Sequence, residues 1–387
     1  MPSSISRLVV IALVLLQAGP GGTQTAQAQR APGRLSCRAC ILVDDTGDTL
    51  WARRPHSPRS NASTTKMLTA LTAVELNVEA ETAVTVSRNA ATTGGGGLDL
   101  SRGDLLTVDE LLHALLMTSS NDASVALAEH AAGSETSFVA AMNALAFDLG
   151  ARDSHFVSPH GLDAPEHYST ASDLADIGAA LLDHHGLARI VRTERYELSG
   201  AKGTEVLENS NPLLGAYRGV MGIKTGFTDQ AGEVLVAAAQ RHGRQLIAVV
   251  MGSRDAAADS RTLLDFGWDR LSRSLLLPAG KRVGEVTRSD GASAVAVAAN
   301  ALRGWARPEE ISSRFVVRRD LSTVSTAGEE VGRVDIYRGG RRIASTPALA
   351  TTALAVPKPQ PAAVGRLLAV LLDGAFQIAS WLGVNEP

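Results

Sequence analysis

Three short runs hold the residues best suited to chemistry: Ser63-Thr64-Thr65-Lys66, Ser119-Ser120-Asn121 and Lys224-Thr225-Gly226. In the first, positions i and i+3 share a helix face, so a helix here brings the Lys66 amine beside the Ser63 hydroxyl. A serine hydroxyl is a weak nucleophile until a neighbouring base takes its proton. Lys66 can be that base if its pKa falls from ~10.4 toward ~7, a cost of roughly 4–5 kcal/mol. Burial or a second nearby cation supplies such a shift. Ser63 would also stand at a helix N-terminus, where free N–H groups and the helix dipole stabilise developing negative charge.

Ser119 and Asn121 fall between two helical stretches, a placement that suits a hydroxyl relaying protons and an amide binding substrate. The same residues also suit an ordinary N-cap for the next helix. Lys224-Thr225-Gly226 reads as strand. Its threonine hydroxyl and lysine charge suit a carboxylate, and its glycine permits close backbone approach. The competing reading is an exposed edge strand with a protective lysine. Each run is weak by itself. A second S-x-x-K occurs at Ser199 to Lys202 in a glycine-containing turn, and a second S-x-N at Ser87 to Asn89. The combination is stronger: helix, loop and strand motifs follow in order, and they use two of the chain's five lysines.

The elements that must position these runs are legible from periodicity and punctuation. Residues 36–51 alternate about an Asp/Gly turn, predicting a β-hairpin. A helix is expected from about Ser63 to Leu76. Thr93 to Gly97 reads as a flexible glycine run, and no Gly-Lys-Ser/Thr follows to make it a phosphate loop. Thr107 and Glu110 form a capping box opening a helix over Leu111 to Met117. Further helices are expected over 122–132 and 135–149, closed by Gly133 and Gly150, then from Ser172 to a stop at Gly186. Val234 to Ala239 and Leu246 to Met251 predict a hairpin closed by Arg241 to Arg244. Leu263 to Leu271 looks helical. Beyond Pro278 the chain turns Val-rich and Gly-punctuated, an all-β signal.

At the N-terminus, Leu8 to Leu16 gives roughly 14 Å of apolar helix, too short to span a ~30 Å bilayer core. Ala26-Gln27-Ala28 is a small-x-small cleavage pattern, so residues 1–28 read as a signal peptide and the mature protein as exported. Domains follow at 29–275 and 276–356, then a Pro-rich spacer at 357–361 and a helix over 362–383. Arg366, Asp373, Gln377 and Ser380 form one polar stripe on that helix, which favours a position in the membrane surface. A spanning helix or one packed on the soluble domain are the alternatives. The 387 residues carry 37 Lys+Arg against 40 Asp+Glu. That balance argues against nucleic acid as a partner. Cys37 and Cys40 are too few for a zinc module, and no HExxH is present, so neither metal nor cofactor is expected. The two cysteines read as ordinary strand residues or as a local disulfide formed after export.

The blocks ASTTKMLTA, MTSSNDASVALAEHAAG, SPHGLDAPEHYSTASDLA, NSNPLL and GIKTGFTDQAGEVLVAAA resemble, in order, secreted D-alanyl-D-alanine carboxypeptidases. These are the low-molecular-mass penicillin-binding proteins of the type-five kind. The resemblance covers about residues 36–356. It implies an α+β fold: a serine β-lactamase/penicillin-binding-protein-like domain of antiparallel sheet and helical cluster, then a small all-β domain and a C-terminal membrane helix. It implies Ser63 as acylated nucleophile, Lys66 as general base and Ser119 as proton relay. Asn121, Lys224, Thr225 and Gly226 become substrate-binding residues. The implied substrate is a peptidoglycan stem pentapeptide losing its terminal D-Ala, with β-lactams as covalent inhibitors. Phe227 and Glu233 depart from residues common at these places, which bears on substrate preference. His155, His160 and His167 read as structural. A D,D-endopeptidase is one alternative. A class A-like β-lactamase is another, and it would need a carboxylate base such as Glu166.

Overall fold

Residues 32–354, apart from 201–202, 273, 307, 319–320, 322–323 and 325, are described by a computed structural model. The expected signal peptide, Pro-rich spacer and C-terminal helix lie outside the described residues, as does Lys202 of the second S-x-x-K. No helix among the described residues is long and apolar enough to cross a membrane. The chain divides into two units between Leu271 and Ser272.

The first unit opens on the expected hairpin, β1 (Ala39–Asp44) and β2 (Thr49–Arg53). A short 3-10 turn, Ala62–Thr64, then leads into α1 (Thr65–Glu75). There follow β3 (Ala83–Thr85), α2 (Arg88–Ala91), β4 (Leu105–Thr107) and α3 (Val108–His113), the last opened by the capping box of Thr107 and Glu110. A π-turn over Ala114–Thr118 precedes α4 (Asn121–Ala132), α5 (Glu135–Asp148), α6 (Ala171–Asp183) and α7 (His185–Arg192). The strands β5 (Arg195–Gly200) and β6 (Gly203–Glu208) form a separate hairpin. Finally come β7 (Val220–Thr228), β8 (Gly232–Arg241), β9 (Arg244–Ser253) and α8 (Ala256–Ser272).

Five strands make one antiparallel sheet in the order β2-β1-β9-β8-β7. Every residue of β1 is buried, because strands flank it on both sides and helices cover both faces. Ile41, Val43, Val236 and Val249 face the helical cluster, while Leu42 and Leu246 pack against Gly267 of α8. Helix α1 is buried from Thr65 through Ala73. It touches α4, α5 and α6, so it shows no amphipathic stripe.

Two expectations change. The helix expected to stop at Gly186 ends at Asp183, and α7 begins at once, with the His184 ring accepting from Leu187 N as N-cap. Gly186 lies inside the first turn of α7. Helix α8 starts seven residues before Leu263, where Asp255 Oδ1 accepts from Ala258 N at 2.8 Å.

The second unit holds β10 (Ser274–Leu277), β11 (Arg282–Thr287), β12 (Ser293–Ala298), β13 (Leu302–Gly304), β14 (Ile311–Val317), β15 (Glu330–Arg338) and β16 (Arg341–Ala350). Five of these strands form an antiparallel sheet ordered β11-β12-β16-β15-β14. Alternation sends Phe315, Val334 and Ile336 into its core.

One buried ion pair ties the two hairpins of the main sheet. Arg244 is inaccessible and meets Asp44 at 2.9 Å and Asp45 at 2.8 Å. Arg244→Ala removes the cation and leaves Asp44 buried, so a loss of about 3–5 kcal/mol is expected in urea denaturation. A loss below about 1 kcal/mol contradicts this assignment.

Candidate active site

Ser63 stands in the 3-10 turn before α1, and side chains pin that turn from both sides. Thr64 Oγ1 donates to Asn61 O at 2.6 Å, and Thr65 Oγ1 to Ala62 O at 2.9 Å. Since Thr65 spends its proton there, it accepts from Asn61 Nδ2 at 2.8 Å and from His167 Nε2 at 2.9 Å. His167 Nδ1 in turn accepts from Val157 N at 3.2 Å. Both contacts fit one neutral tautomer with the proton on Nε2. Burial, with the His155 charge beside it, pushes the His167 pKa down to about 4. His160 also falls to about 4, by burial and then by Lys66.

In the first turn of α1, Lys66 is fully buried. Its Nζ lies 3.0 Å from Ser63 Oγ, 2.7 Å from Asn121 Oδ1 and 2.8 Å from His160 O. Burial drives its pKa far below the ordinary lysine value. The neighbouring Lys224 charge pushes it the same way, and Asp122 opposes weakly. A neutral amine has two N–H groups and one lone pair. Asn121 Oδ1 and His160 O can only accept, so they take the two N–H groups. The lone pair then faces the Ser63 hydroxyl.

The S-x-N run follows the π-turn. Ser119 is left-handed, with φ 70° and ψ 28°, a conformation that non-glycine residues avoid. It ends one helix and lets the next begin at Asn121. Ser120 holds the N-cap position but makes no side-chain cap, so the ordinary-cap reading does not apply. Ser119 lines the cleft, and among the described residues no hydrogen bond joins it to Ser63 or Lys66. Asn121 is buried, and its Nδ2 donates to Gly94 O at 2.8 Å.

Lys224 lies on β7, the edge strand, yet it is 1% exposed, so it points inward and is no edge guard. Its Nζ donates to Thr225 O at 3.1 Å, and burial lowers its pKa to about 7. Thr225 Oγ1 and Ser210 Oγ are 2.8 Å apart. Gly226 permits the close approach: a Cβ there would meet Ser63 N at 3.0 Å and Ala62 Cβ at 3.1 Å, a tight fit against backbone. The structure thus brings Ser63, Lys66, Ser119, Asn121, Lys224, Thr225 and Gly226 together around one cleft of about 480 Å³. Ser63, Ser119, Thr225 and Gly226 line it; Lys66, Asn121 and Lys224 lie beneath the surface.

Sequence reasoning missed the third wall. The glycine run read as flexible is anchored to α4. Asn121 N donates to Gly96 O at 3.1 Å, and Asp122 accepts from Leu98 N at 3.2 Å and Leu100 N at 3.0 Å. Gly95 to Gly97 line the cleft. Glu166 is exposed and does not line it, so it supplies no carboxylate base there. Cys37 precedes β1, outside strand alternation, and it is disulfide-bonded to Cys40.

A serine at a helix start, a buried amine in contact with it and a second buried amine on an edge strand define an active-site-serine acyl-transfer enzyme. Over residues 24–255 the chain matches the family model described as D-alanyl-D-alanine carboxypeptidase. It is 32% identical over 341 residues to D-alanyl-D-alanine carboxypeptidase DacD of Salmonella typhimurium, covering 82% of this chain and 86% of that protein. Penicillin binding protein 5 from Haemophilus influenzae has a solved structure 29% identical, with a TM-score of 0.61, covering 84% of this chain and 99% of that one. The Streptomyces K15 DD-transpeptidase structure is 28% identical, with a TM-score of 0.59, over 62% of this chain and 100% of its own. The chain belongs to the D-alanyl-D-alanine carboxypeptidase family, the low-molecular-mass penicillin-binding proteins. Its activity is that of a serine D,D-carboxypeptidase.

His160 and His167 are neutral when folded, but each binds a proton near ~6.5 when unfolded. Below that pH the unfolded chain holds more protons, so stability is full above ~6.5 and falls as pH drops toward 4. The urea midpoint should decline across this window, and His167→Gln should flatten the decline. An equal slope in that variant contradicts the assignment.

Proposed function

We propose that Ser63 is the acylated nucleophile and Lys66 its general base, in removal of the terminal D-Ala from peptidoglycan stem pentapeptides. The observation that carries this reading is the buried Lys66 amine 3.0 Å from the Ser63 hydroxyl. Lys66 takes the Ser63 proton as Oγ attacks the carbonyl carbon of the penultimate D-Ala. The oxyanion forms over the start of α1, at the Ser63 N–H, which lies close to Gly226. Ser119 passes a proton to the leaving D-Ala amine. Water then cleaves the Ser63 ester with the same groups acting in reverse, regenerating the hydroxyl.

Lys224 and Thr225 hold the substrate's terminal carboxylate, and the free edge of β7 pairs with the peptide backbone. Asn121 is bonded at both ends of its amide, so it holds Lys66 and the glycine wall. Its Nδ2 spends one N–H on Gly94 O, and the second N–H can donate to a substrate carbonyl. β-Lactams, as analogues of the D-Ala pair, acylate Ser63 and stay. The leader at 1–28 exports the protein. Domain 29–275 then works at the outer face of the membrane, followed by the β domain 276–356 and the spacer 357–361. The helix at 362–383 rests on the membrane surface.

Ser63→Ala should abolish both D-Ala release and covalent penicillin labelling, read by mass spectrometry; survival of either removes Ser63 from this role. Because Lys66 must be neutral to act, log kcat/KM should rise with pH through its lowered pKa. Lys224→Ala removes the charge that helps depress that pKa, so the acid limb should move to higher pH. It also loses a charge-assisted carboxylate contact, costing about ten- to a hundredfold in kcat/KM. An unmoved limb contradicts the coupling.

A further inference from the structure

A second recess lies at the other end of β7 from the cleft. Thr225 to Phe227 line the cleft, Met221 lines the recess, and the two share no residue. The recess holds about 560 Å³, within the ~300–1,000 Å³ usual for small-molecule sites. Its floor is apolar, made by the buried Met221, Leu182 and Ala188. One wall is helix α7. His185, Arg189 and Arg192 fall at i, i+4 and i+7, so they stand in one row on its exposed face, and all three line the recess. The other wall carries Gln240 and Gln245, which lie directly across from each other in the β8–β9 pairing. None of the residues lining the recess is an acid. Among the described residues, none of the three basic side chains has a carboxylate partner, and neither glutamine amide is hydrogen-bonded.

Cations at the end of a helix complement its dipole, and Arg189 and Arg192 stand in the last turn of α7. That accounts for neither His185 in the first turn of the same row nor the two free amides on the facing wall. We propose that this recess binds the phosphate group of a phosphate ester. Each guanidinium presents a planar fork of N–H donors that matches phosphate oxygens. A carboxylate is planar and pairs with one fork. A tetrahedral phosphate turns oxygens toward both arginines and toward the glutamine amides at once. With no acid in the lining, nothing competes for the two guanidinium charges or repels the anion. The apolar floor takes the organic part of the ester. Such a phosphate arrives on a soluble ester or on a lipid headgroup. Because the recess shares no residue with the cleft, the inference does not depend on the carboxypeptidase reading.

The test uses full-length protein and titration calorimetry with glycerol 3-phosphate, succinate and glycerol. The phosphate ester should bind at least about tenfold more tightly than succinate, and glycerol should give no heat. R189Q and R192Q each lose one charge-assisted contact, so each should weaken the phosphate ester about ten- to a hundredfold. The wild-type affinity should fall as salt is raised. Both arginines are exposed, so the urea midpoint of each variant should stay at the wild-type value, which separates lost binding from lost fold. Flotation with vesicles of phosphatidylglycerol in phosphatidylcholine is the second arm. Vesicle binding that both substitutions weaken, without binding of the soluble ester, assigns the phosphate to a lipid headgroup. The site is overturned when neither arm shows binding that R189Q and R192Q weaken. Succinate bound as tightly as glycerol 3-phosphate overturns the choice of phosphate.

Discussion

Lys66 and Lys224 are both removed from water, and among the described residues neither amine is hydrogen-bonded to a carboxylate. An unpaired buried ammonium costs several kcal/mol, so the Lys66 amine, with the Lys224 charge also against it, sheds its proton rather than bear that cost. The acceptors around Lys66 matter for what they lack. Asn121 Oδ1 and His160 O satisfy its N–H groups without supplying negative charge. A carboxylate in either place would hold the amine protonated and end its use as a base. Asp122 is near enough to oppose the shift, but its oxygens are taken by the amides of Leu98, Leu100 and Ala123.

The rest of the first unit maintains this arrangement. Helix α1 is sheathed by other helices, which keeps Lys66 dry. His167 fixes Thr65, and Thr65 fixes the turn that carries Ser63. Gly226 lets the edge strand close on that turn, and the same strand carries Lys224, whose charge acts on Lys66. Asn121 joins three parts at once: its own helix, the base and the glycine wall. A single substitution among these residues therefore acts through position as much as through chemistry.

Much of this was legible in the sequence, because local signals and tertiary demands agreed. The capping box at Thr107, the β8–β9 turn and the helix, loop and strand settings of the three motifs all matched local rules. The disagreements have physical causes. Gly186 looked like a helix stop, but His184 supplies a side-chain cap that starts α7 immediately. The β5–β6 hairpin carries four charges in twelve places, and Glu205 and Glu208 are three apart, which breaks the apolar alternation that signals a strand. The glycine run has no side chains to announce a partner. Its order comes from Asn121 and Asp122, two dozen residues further on. No local pattern encodes such a contact. The inward turn of Lys224 was equally hidden, since edge position alone predicts an exposed lysine.

The central claim is that Lys66 is an uncharged amine at working pH because of burial beside Lys224. It is tested most directly by NMR titration of protein labelled at lysine Cε. With five lysines in the chain, Lys→Arg variants assign each signal. The account predicts that the Lys66 signal titrates well below the ordinary ~10.4 and moves upward in Lys224→Ala. A Lys66 signal that titrates at the ordinary lysine value, unmoved by that substitution, contradicts it.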